Sequence, residues 1–375
     1  MTENKQDIIV IGGGLAGLVS AILLNRQGLK VTLIEKKVYP FHRVCGEYIS
    51  NEVKPFLERE GLFPSSDEPS HLNYFKLSDI KGNSCSIKLP LGGFGISRYK
   101  LDLFLYEKAV SEGVIVKAGE EVNKVAFQED AFEVSLKGGV TLSSTFVVGA
   151  YGKRAKLDST MKRSFLDKKS PFIGIKYHAY VEYPKNEIGL YNFKGGYCGV
   201  SHVEDNMVNI CYLSKRSNLK EFGDIKNMEE QVLFNNPHLK YLLKNASFLR
   251  EKPEVINEIS FEKKSTIEDH MLMVGDTAGL ITPLCGNGMA MAIHGAKIVS
   301  DLLIKYYAGD IKDRDQLEQT YIKEWKSAFS YRLWIGRNTQ NLFGNQLRSN
   351  LAVQLVGSFP KIGTKFIEQT HGEIF

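Results

Sequence analysis

The sequence predicts an α/β fold that combines a parallel β-sheet, a separate antiparallel β-sheet and a group of C-terminal helices. Short β-branched apolar runs at residues 8–11 and 31–34 flank a helix-like stretch, which is the pattern of buried parallel strands. Residues 164–261 are rich in Tyr, Phe and Val, with turn residues between them, as in an antiparallel sheet. From residue 306 onward, apolar side chains recur every four residues, which predicts packed helices.

The first element is a strand–turn–helix–strand unit near the start of the chain. Residues 12–17 read Gly-Gly-Gly-Leu-Ala-Gly, which supplies a Gly-x-Gly-x-x-Gly motif between the first strand and its helix. Such a turn lets the backbone approach a pyrophosphate, whose charge faces the helix N-terminus. Glu35 ends the second strand, 21 positions after Gly14, where an acid binds ribose hydroxyls and disfavours a 2′-phosphate. The unit predicts a Rossmann-like domain for FAD or NAD rather than NADP.

A second strand–turn–helix unit lies late in the chain. Residues 271–274 form another apolar run, which Gly275-Asp276 and a loop with glycine and proline follow. Asp276 stands at the end of this strand, where it can bind ribityl or ribose hydroxyls. A helix is predicted to begin near Gly288, and its N-terminus suits the negative charge that develops on a reduced isoalloxazine ring.

Composition narrows the classes of function. The net charge of +5 over 375 residues is too small to indicate nucleic-acid binding. The five cysteines form no Cys-x-x-Cys pair, which predicts free thiols in a reducing cytoplasm. The eight histidines show no metal-ligand spacing, so no metal is expected. The chain enters its first strand without a signal peptide and has no apolar run of about 18 residues, so no membrane span is expected.

The two units resemble the FAD-binding motifs of the oxidoreductases with the p-hydroxybenzoate-hydroxylase fold. This group includes aromatic hydroxylases, flavin-dependent halogenases and geranylgeranyl reductases, and the resemblance follows most of the chain in order. The glycine motif with Glu35 matches the dinucleotide fingerprint, and Gly275-Asp276 matches the late motif that binds the flavin ribityl chain. The resemblance implies a glutathione-reductase-type FAD-binding domain, closest to the geranylgeranyl reductase-like branch.

A third motif of this group is altered here. Residues 146–158 resemble the middle motif, but Tyr151 and Ala155 replace its usual acid and serine. In the hydroxylases this motif helps to hold both FAD and transient NAD(P)H. The departure weakens direct use of NAD(P)H, which is expected only as a transient electron donor beside a tightly held FAD.

Further cofactor contacts follow from the same resemblance. Arg98 precedes a helix at the place where related enzymes set an arginine on FAD, and Val122 falls where they touch the adenine through backbone atoms. The stretch RVCGEYIS, residues 43–50, resembles the reductases' cysteine–glycine motif, which lies over the flavin and brings Cys45 to the reaction site. The predicted cofactor-binding residues are Gly12, Gly14, Leu15, Ala16, Gly17, Glu35, Lys36, Arg43, Cys45, Gly46, Arg98, Val122, Gly275, Asp276, Gly286, Asn287, Gly288 and Met289.

The reaction type is left open by the sequence. Cys45, and Gly279 at a position where many hydroxylases have histidine, favour hydride transfer from reduced flavin to a carbon–carbon double bond of a hydrophobic metabolite. Residues 195–213 lack the reductases' prenyl-site residues, which counts against a geranylgeranyl substrate. The alternatives are a monooxygenase that hydroxylates a phenolic or polyketide-like substrate through a C4a-hydroperoxide, and a non-catalytic flavin- or NAD-binding module. The predicted catalytic residues are Cys45, Tyr197 and His202.

The chain is predicted to divide into three regions. The FAD-binding domain comprises residues 1–75, 95–158 and 262–305, the substrate-binding sheet comprises residues 76–94 and 164–261, and residues 306–375 form the helical end. The helical end is expected to close the substrate cavity; a membrane-surface element is the alternative, because its last residues mix apolar and basic side chains. Expected partners are a hydrophobic small-molecule substrate, no nucleic acid, and transient contact with a membrane or an electron-donor protein. The expected location is the cytoplasm, peripheral to the inner membrane face.

Overall fold

The computed structural model describes residues 5–168, 170–257, 259–340 and 343–375. Its strands are β1 (Gln6–Ile11), β2 (Val31–Glu35), β3 (Tyr48–Ser50), β4 (Ser70–Ser78), β5 (Ser84–Gly95), β6 (Ile115–Ala118), β7 (Val122–Gln128), β8 (Ala131–Leu136), β9 (Thr141–Gly149), β10 (Phe172–Tyr180), β11 (Glu187–Phe193), β12 (Gly196–His202), β13 (Val208–Lys215), β14 (Ser247–Phe248), β15 (Glu254–Asn257), β16 (Ile267–Glu268) and β17 (Met271–Met273). Its helices are α1 (Leu15–Asn25), α2 (Lys54–Arg59), α3 (Arg98–Ser111), α4 (Lys156–Thr160), α5 (Arg216–Phe222), α6 (Ile225–Gln231), α7 (Pro237–Asn245), α8 (Gly288–Tyr307), α9 (Arg314–Thr339), α10 (Gln346–Ser358) and α11 (Pro360–Thr370).

The first sheet confirms the predicted α/β class. Its strand order is β16-β17-β9-β1-β2-β6, with β7 and β8 continuing from β9 as antiparallel strands. β1 is parallel to both β2 and β9, and β17 is parallel to β9, so the carboxyl ends of these strands lie along one edge. In open sheets of this kind, ligands bind beyond that edge.

Helix α1 packs close against β1 because its residues are small and apolar on every side. Nine of its eleven residues are buried, as expected for a helix enclosed by other elements. At Gly17 a Cβ atom would lie 1.9 Å from the carbonyl oxygen of Gly12, so only glycine permits this approach. α1 contacts α3 and α8, which completes the helical layer over the sheet.

The second sheet has the order β14-β10-β13-β12-β11-β4-β5-β3, with β15 also paired to β10. Its pairs are antiparallel except β4 with β11. β12 and β13 form a hairpin with its turn at Glu204–Asn206, within the region that the sequence predicted as antiparallel sheet. β3 lies at residues 48–50 and β4 begins at Ser70. Both positions fall within residues 1–75, which the sequence analysis assigned to the FAD-binding domain, yet the two strands belong to the second sheet.

The C-terminal helices lie against both sheets. α9 packs on α8, whereas α10 and α11 pack on β5 and on each other. Within the described part of the chain, none of the helices has the length and apolar character needed to cross a membrane.

Candidate functional site

The three sequence motifs meet at the carboxyl ends of β1, β9 and β17. Gly12 has a φ of +105°, and a Cβ atom there would lie 2.5 Å from the carbonyl oxygen of Ala150 in the middle motif. The backbone N–H of Gly152 donates a hydrogen bond to Thr277 Oγ1 of the late motif at 2.8 Å. A cavity of about 780 Å³ opens between these motifs and the second sheet.

The predicted cofactor residues line this cavity with one exception. Gly17 is absent from the lining, because its role is the close packing of α1 on the strand. The other predicted residues, from Gly12 through Met289, all contribute to the wall. The structure therefore brings them together, and their individual contacts with FAD stay predictions.

The glycine-turn end of the cavity fits a dinucleotide. Glu35 is buried at the end of β2, where the backbone N–H of Gly13 donates to its Oε2 at 2.8 Å and that of Lys37 to its Oε1 at 3.0 Å. At Gly14 a Cβ atom would point toward the Arg98 guanidinium, 3.4 Å away, so the bare backbone leaves room beside a cation. This donor and acceptor set suits a ribose and a pyrophosphate.

Two arginines at this end share one buried carboxylate. Asp102 accepts hydrogen bonds from Arg98 Nε and Nη2, both at 2.7 Å, and from Arg43 Nε at 3.0 Å. Arg43 also reaches Glu35 Oε2 at 3.2 Å. The network fixes both guanidinium groups at the cavity wall. Sequence reasoning did not identify Asp102, although its i,i+4 spacing from Arg98 on α3 was a usable signal.

A second buried charge cluster holds the segment that carries Cys45. Glu47 is fully buried with φ of +55°, forms an ion pair with Lys176 Nζ, and lies 2.5 Å from His178 Nε2. Burial opposes ionisation of Glu47, but Lys176 and His178 outweigh it and lower its pKa to about 2. The backbone N–H of Arg98 also donates to Glu47 at 2.8 Å. The carboxylate thus ties residues 43–50 to β10 and α3, which the sequence alone did not reveal.

The three predicted catalytic residues do not share one position. Cys45 lines the cavity, and its carbonyl accepts a hydrogen bond from Asn209 Nδ2 at 3.3 Å. Tyr197 also lines it, but its hydroxyl accepts from the backbone N–H of Leu284 and donates to the Gln340 side chain. His202 is buried outside the lining, with Nε2 2.9 Å from the carbonyl oxygen of Tyr183. A catalytic role for each stays a prediction, and the geometry supplies no cavity contact for His202.

A tyrosine–histidine pair that the sequence did not indicate lies on the same wall. Tyr48 Oη is 3.3 Å from His371 Nε2 and 3.4 Å from the carbonyl oxygen of Gly92. His371 Nδ1 donates to the carbonyl of Ile367 at 2.8 Å, so Nε2 is the acceptor for Tyr48. Burial lowers the pKa of His371, although the Ile367 carbonyl and Glu52 act in the opposite direction. Burial raises the pKa of Tyr48, so the pair is neutral near pH 7 and Tyr48 retains its proton.

The far end of the cavity is apolar. Its walls come from β4 and β5, from β11 and from the C-terminal helices, which lie far apart in the chain. The side chains are Phe75, Leu77, Ile87, Leu89, Ile188, Leu190, Phe343, Leu355, Val356, Ile362, Phe366 and Ile367. The C-terminal helices therefore form part of the wall at the apolar end of the cavity.

Packing explains why residue 279 is a glycine, so this residue is weaker evidence for a reductase over a hydroxylase than the sequence suggested. A Cβ atom at Gly279 would lie 2.9 Å from Cη2 of Trp325, whose ring occupies the space beside this residue. Trp325 is buried on α9, as its four-residue spacing with Tyr321 and Phe329 predicted. The glycine thus serves the contact between the late motif and α9, and it does not by itself separate a reductase from a hydroxylase.

Comparisons with known proteins agree with this site. Residues 7–41 match the family described as FAD binding domain. Conditioned medium factor receptor 1 of Dictyostelium discoideum is 23% identical over 369 residues, which cover 88% of this chain and 69% of that protein. A digeranylgeranylglycerophospholipid reductase of Methanococcus vannielii is 25% identical over 352 residues, which cover 86% of this chain and 83% of the reductase.

Solved structures give the same fold. The halogenase PltM in complex with phloroglucinol and FAD has a TM-score of 0.77 at 16% identity, over 96% of this chain and 82% of PltM. PqsL of Pseudomonas aeruginosa, in complex with 2-aminobenzoylacetate, has a TM-score of 0.75 at 17% identity, over 93% of this chain and 100% of PqsL. The motifs, the cavity and these matches identify the protein as an FAD-dependent oxidoreductase with the p-hydroxybenzoate-hydroxylase fold.

Proposed function

We propose that this FAD-dependent oxidoreductase reduces a carbon–carbon double bond in a long, apolar, unsaturated substrate. The observation that carries the proposal is the continuity of the cavity, which runs from the glycine turn into a chamber walled by aliphatic and aromatic side chains. Once bound and reduced by an electron donor, FAD would supply hydride to the double bond. The residues of the chain bind the cofactor at one end, exclude water from the other and place the substrate between them.

An extended hydrocarbon suits the apolar end better than a small polar ring. Aliphatic side chains from β4, β5 and α11 line the chamber, and an apolar chain gains free energy by leaving water there. The relative named digeranylgeranylglycerophospholipid reductase supports a lipid-like substrate of this kind. Because β12 carries none of the prenyl-site residues of the geranylgeranyl reductases, we propose a related unsaturated lipid without fixing its chain length.

Reduction of a double bond also needs a proton at the carbon that does not receive hydride. Tyr48 lines the cavity in the same segment as Cys45, and its hydroxyl is hydrogen-bonded to His371. The hydroxyl groups of Tyr48 and Tyr197 each have two hydrogen-bond partners, but only Tyr48 adjoins a titratable side chain, His371. We therefore assign proton delivery to Tyr48, with His371 as the residue that orients it.

The electron donor and location remain proposals of the same kind. We propose transiently bound NAD(P)H, or an electron-donor protein, as the source of electrons, and a cytoplasmic protein that works at the inner membrane face. The basic residues Lys153, Arg154 and Lys156 line the cavity and would attract a phosphate-bearing donor.

Product analysis tests the reaction. The protein loaded with FAD is incubated without oxygen with a chemical reductant and a set of unsaturated prenyl lipids, and the products are examined by mass spectrometry. We expect a product that has gained two hydrogen atoms at one double bond. Oxygenated product that appears only in air would instead establish the monooxygenase. A protein that binds FAD but changes no substrate under either condition would favour the non-catalytic module.

A further inference from the structure

The C-terminal helices expose a row of large apolar side chains. Leu347, Leu351 and Leu355 follow one another at every fourth position of α10, and Phe359 continues the spacing at the junction with α11. Their exposed fractions are 80%, 65%, 42% and 60%. We name these four residues the apolar stripe. Scattered single leucines are ordinary on protein surfaces, but a continuous row of this size marks an interaction surface.

The fold holds the apolar stripe outward. On the opposite face of α10, Ser349 and Val353 are buried against the body of the protein, and Gly363 and Ile367 do the same for α11. At Gly363 a Cβ atom would lie 2.9 Å from Ile87 of β5, so α11 rests directly on the second sheet. Because both helices are anchored by their other face, the stripe is a fixed feature of the surface.

The stripe leads to the cavity. Leu355 lines the apolar end of the cavity while 42% of its surface remains exposed, and Ile362 of α11 does so at 46%. Residues that belong to both a cavity wall and the outer surface stand at its mouth. The apolar end of the cavity therefore opens beside the apolar stripe.

The charges around the stripe are mainly basic. Residues 346–370 carry three exposed basic side chains, Arg348, Lys361 and Lys365, and one acidic side chain, Glu368. Apolar side chains together with Lys and Arg on the same short helices are the pattern of elements that lie in the interface of an anionic bilayer. A protein partner with an acidic, apolar surface is the competing occupant, and the continuity with a lipid-sized cavity favours the bilayer.

We propose that the apolar stripe inserts into the surface of a membrane with anionic lipids, so that the cavity mouth faces the bilayer. The basic residues then contact the headgroups, and an unsaturated lipid chain enters the cavity without crossing water. Lipid uptake rests on the proposed function, whereas membrane docking rests on the apolar stripe, the basic residues around it and the position of the cavity mouth.

Vesicle flotation of the FAD-loaded protein tests docking. We expect the wild type to float with vesicles of phosphatidylcholine and phosphatidylglycerol more than with phosphatidylcholine alone. The variant Leu347→Ser/Leu351→Ser/Phe359→Ser changes no cavity residue and is expected to lower the partition coefficient by about tenfold or more. The control Val110→Ser/Ile115→Ser/Leu249→Ser removes three exposed apolar side chains elsewhere on the surface and should stay within about twofold of wild type. Charge reversal at Lys361 and Lys365 should remove the preference for phosphatidylglycerol, unlike the same change at Lys220 and Lys240.

Three outcomes would overturn the docking proposal. Wild-type protein that stays unbound with both vesicle types is one, and unchanged flotation of the stripe variant is another. The third is a stable wild-type dimer in size-exclusion chromatography with light scattering that the stripe variant abolishes, since a second copy would then cover the stripe.

An assay with a short, water-dispersed unsaturated substrate, which needs no membrane, distinguishes the docking proposal from the proposed reductase activity. Flotation without turnover of any substrate would support membrane docking and contradict the proposed reductase activity. Turnover without flotation would support the reductase activity and contradict docking.

Discussion

The two ends of the cavity are built in different ways. At the charged end, short loops after β1, β9 and β17 place glycines and backbone N–H groups at the cavity. The end of β2, the loop that follows it and α3 supply the network of Glu35, Arg43, Asp102 and Arg98. At the apolar end, side chains from strands and helices far apart in sequence form a surface without directional contacts. Cofactor binding can therefore be predicted from the spacing of residues within short strand–turn–helix units. Substrate preference depends on side chains that only the folded chain brings together.

The largest effect, a loss of FAD affinity, is expected at Gly14 of the charged end, where the absence of a side chain leaves room for the pyrophosphate. Gly14→Val should abolish FAD binding, a loss of about a thousandfold in affinity, because the branched side chain would occupy the place of the pyrophosphate. The fold should survive, since a Cβ atom there meets nothing closer than 3.4 Å. Flavin absorbance per protein and titration with FAD measure the loss. Gly138→Val, in an exposed turn where a Cβ atom meets no neighbour, is the matched control. Yellow Gly14→Val protein would refute the phosphate-site assignment.

The stability of the fold should depend strongly on Asp102, the carboxylate that Arg98 and Arg43 share at the same end. Asp102→Asn leaves the guanidinium of Arg98 without its carboxylate partner in a buried setting, whereas the half-buried Arg43 keeps Glu35. We expect the free energy of unfolding to fall by about 4 kcal/mol. Urea unfolding followed by circular dichroism gives this value. Asp301→Asn removes the partner of another i,i+4 pair, Lys297–Asp301, which is exposed and should cost less than about 1 kcal/mol. Equal losses in the two variants would contradict the importance of burial.

The Glu47 cluster predicts a pH window in which stability falls. Because the pKa of Glu47 is lowered from 4.5 to about 2 in the folded state, its ionised form stabilises the protein above pH 4.5. That contribution, about 3 kcal/mol, should be lost as the pH falls from 4.5 toward 2. Urea unfolding at several pH values should show a shallower decline for Glu47→Gln than for wild type. Parallel curves would mean that Lys176 and His178 do not hold this carboxylate ionised.

A smaller effect, confined to catalysis, is expected between the two ends. Tyr48→Phe removes the proposed proton donor and should lower kcat by about a hundredfold with little change in KM. The variant should still bind FAD normally, which its spectrum checks. Tyr180→Phe, on an exposed tyrosine of β10, is the control. A Tyr48→Phe enzyme with full activity would move proton delivery to another group, Cys45 and Tyr197 being the predicted candidates.

The same contrast explains what the sequence could predict. The glycine turn, Glu35 and Gly275-Asp276 were predictable because each belongs to a strand–turn–helix unit with fixed spacing. Glu47 and His371 could not be found in this way, because their partners, Lys176 and Tyr48, lie on other elements. Asp102 could have been found through its spacing from Arg98, but its contact with Arg43 depends on the fold. His202 illustrates a different limit of sequence patterns. The antiparallel sheet predicted for residues 164–261 did not reveal that its ring would bond to the Tyr183 carbonyl outside the cavity lining, and its catalytic role stays a prediction.

The central claim is that an unsaturated hydrocarbon at the apolar end receives hydride from the cofactor at the charged end. Anaerobic rapid mixing of the dithionite-reduced holoprotein with an unsaturated prenyl lipid tests it most directly, with flavin absorbance as the signal. We expect the flavin to be reoxidised without oxygen at the same rate as one double bond is saturated. We expect this rate to be lower in Tyr48→Phe. Flavin that stays reduced with every such lipid, and reoxidises only when air is admitted with formation of a hydroxylated product, would contradict it.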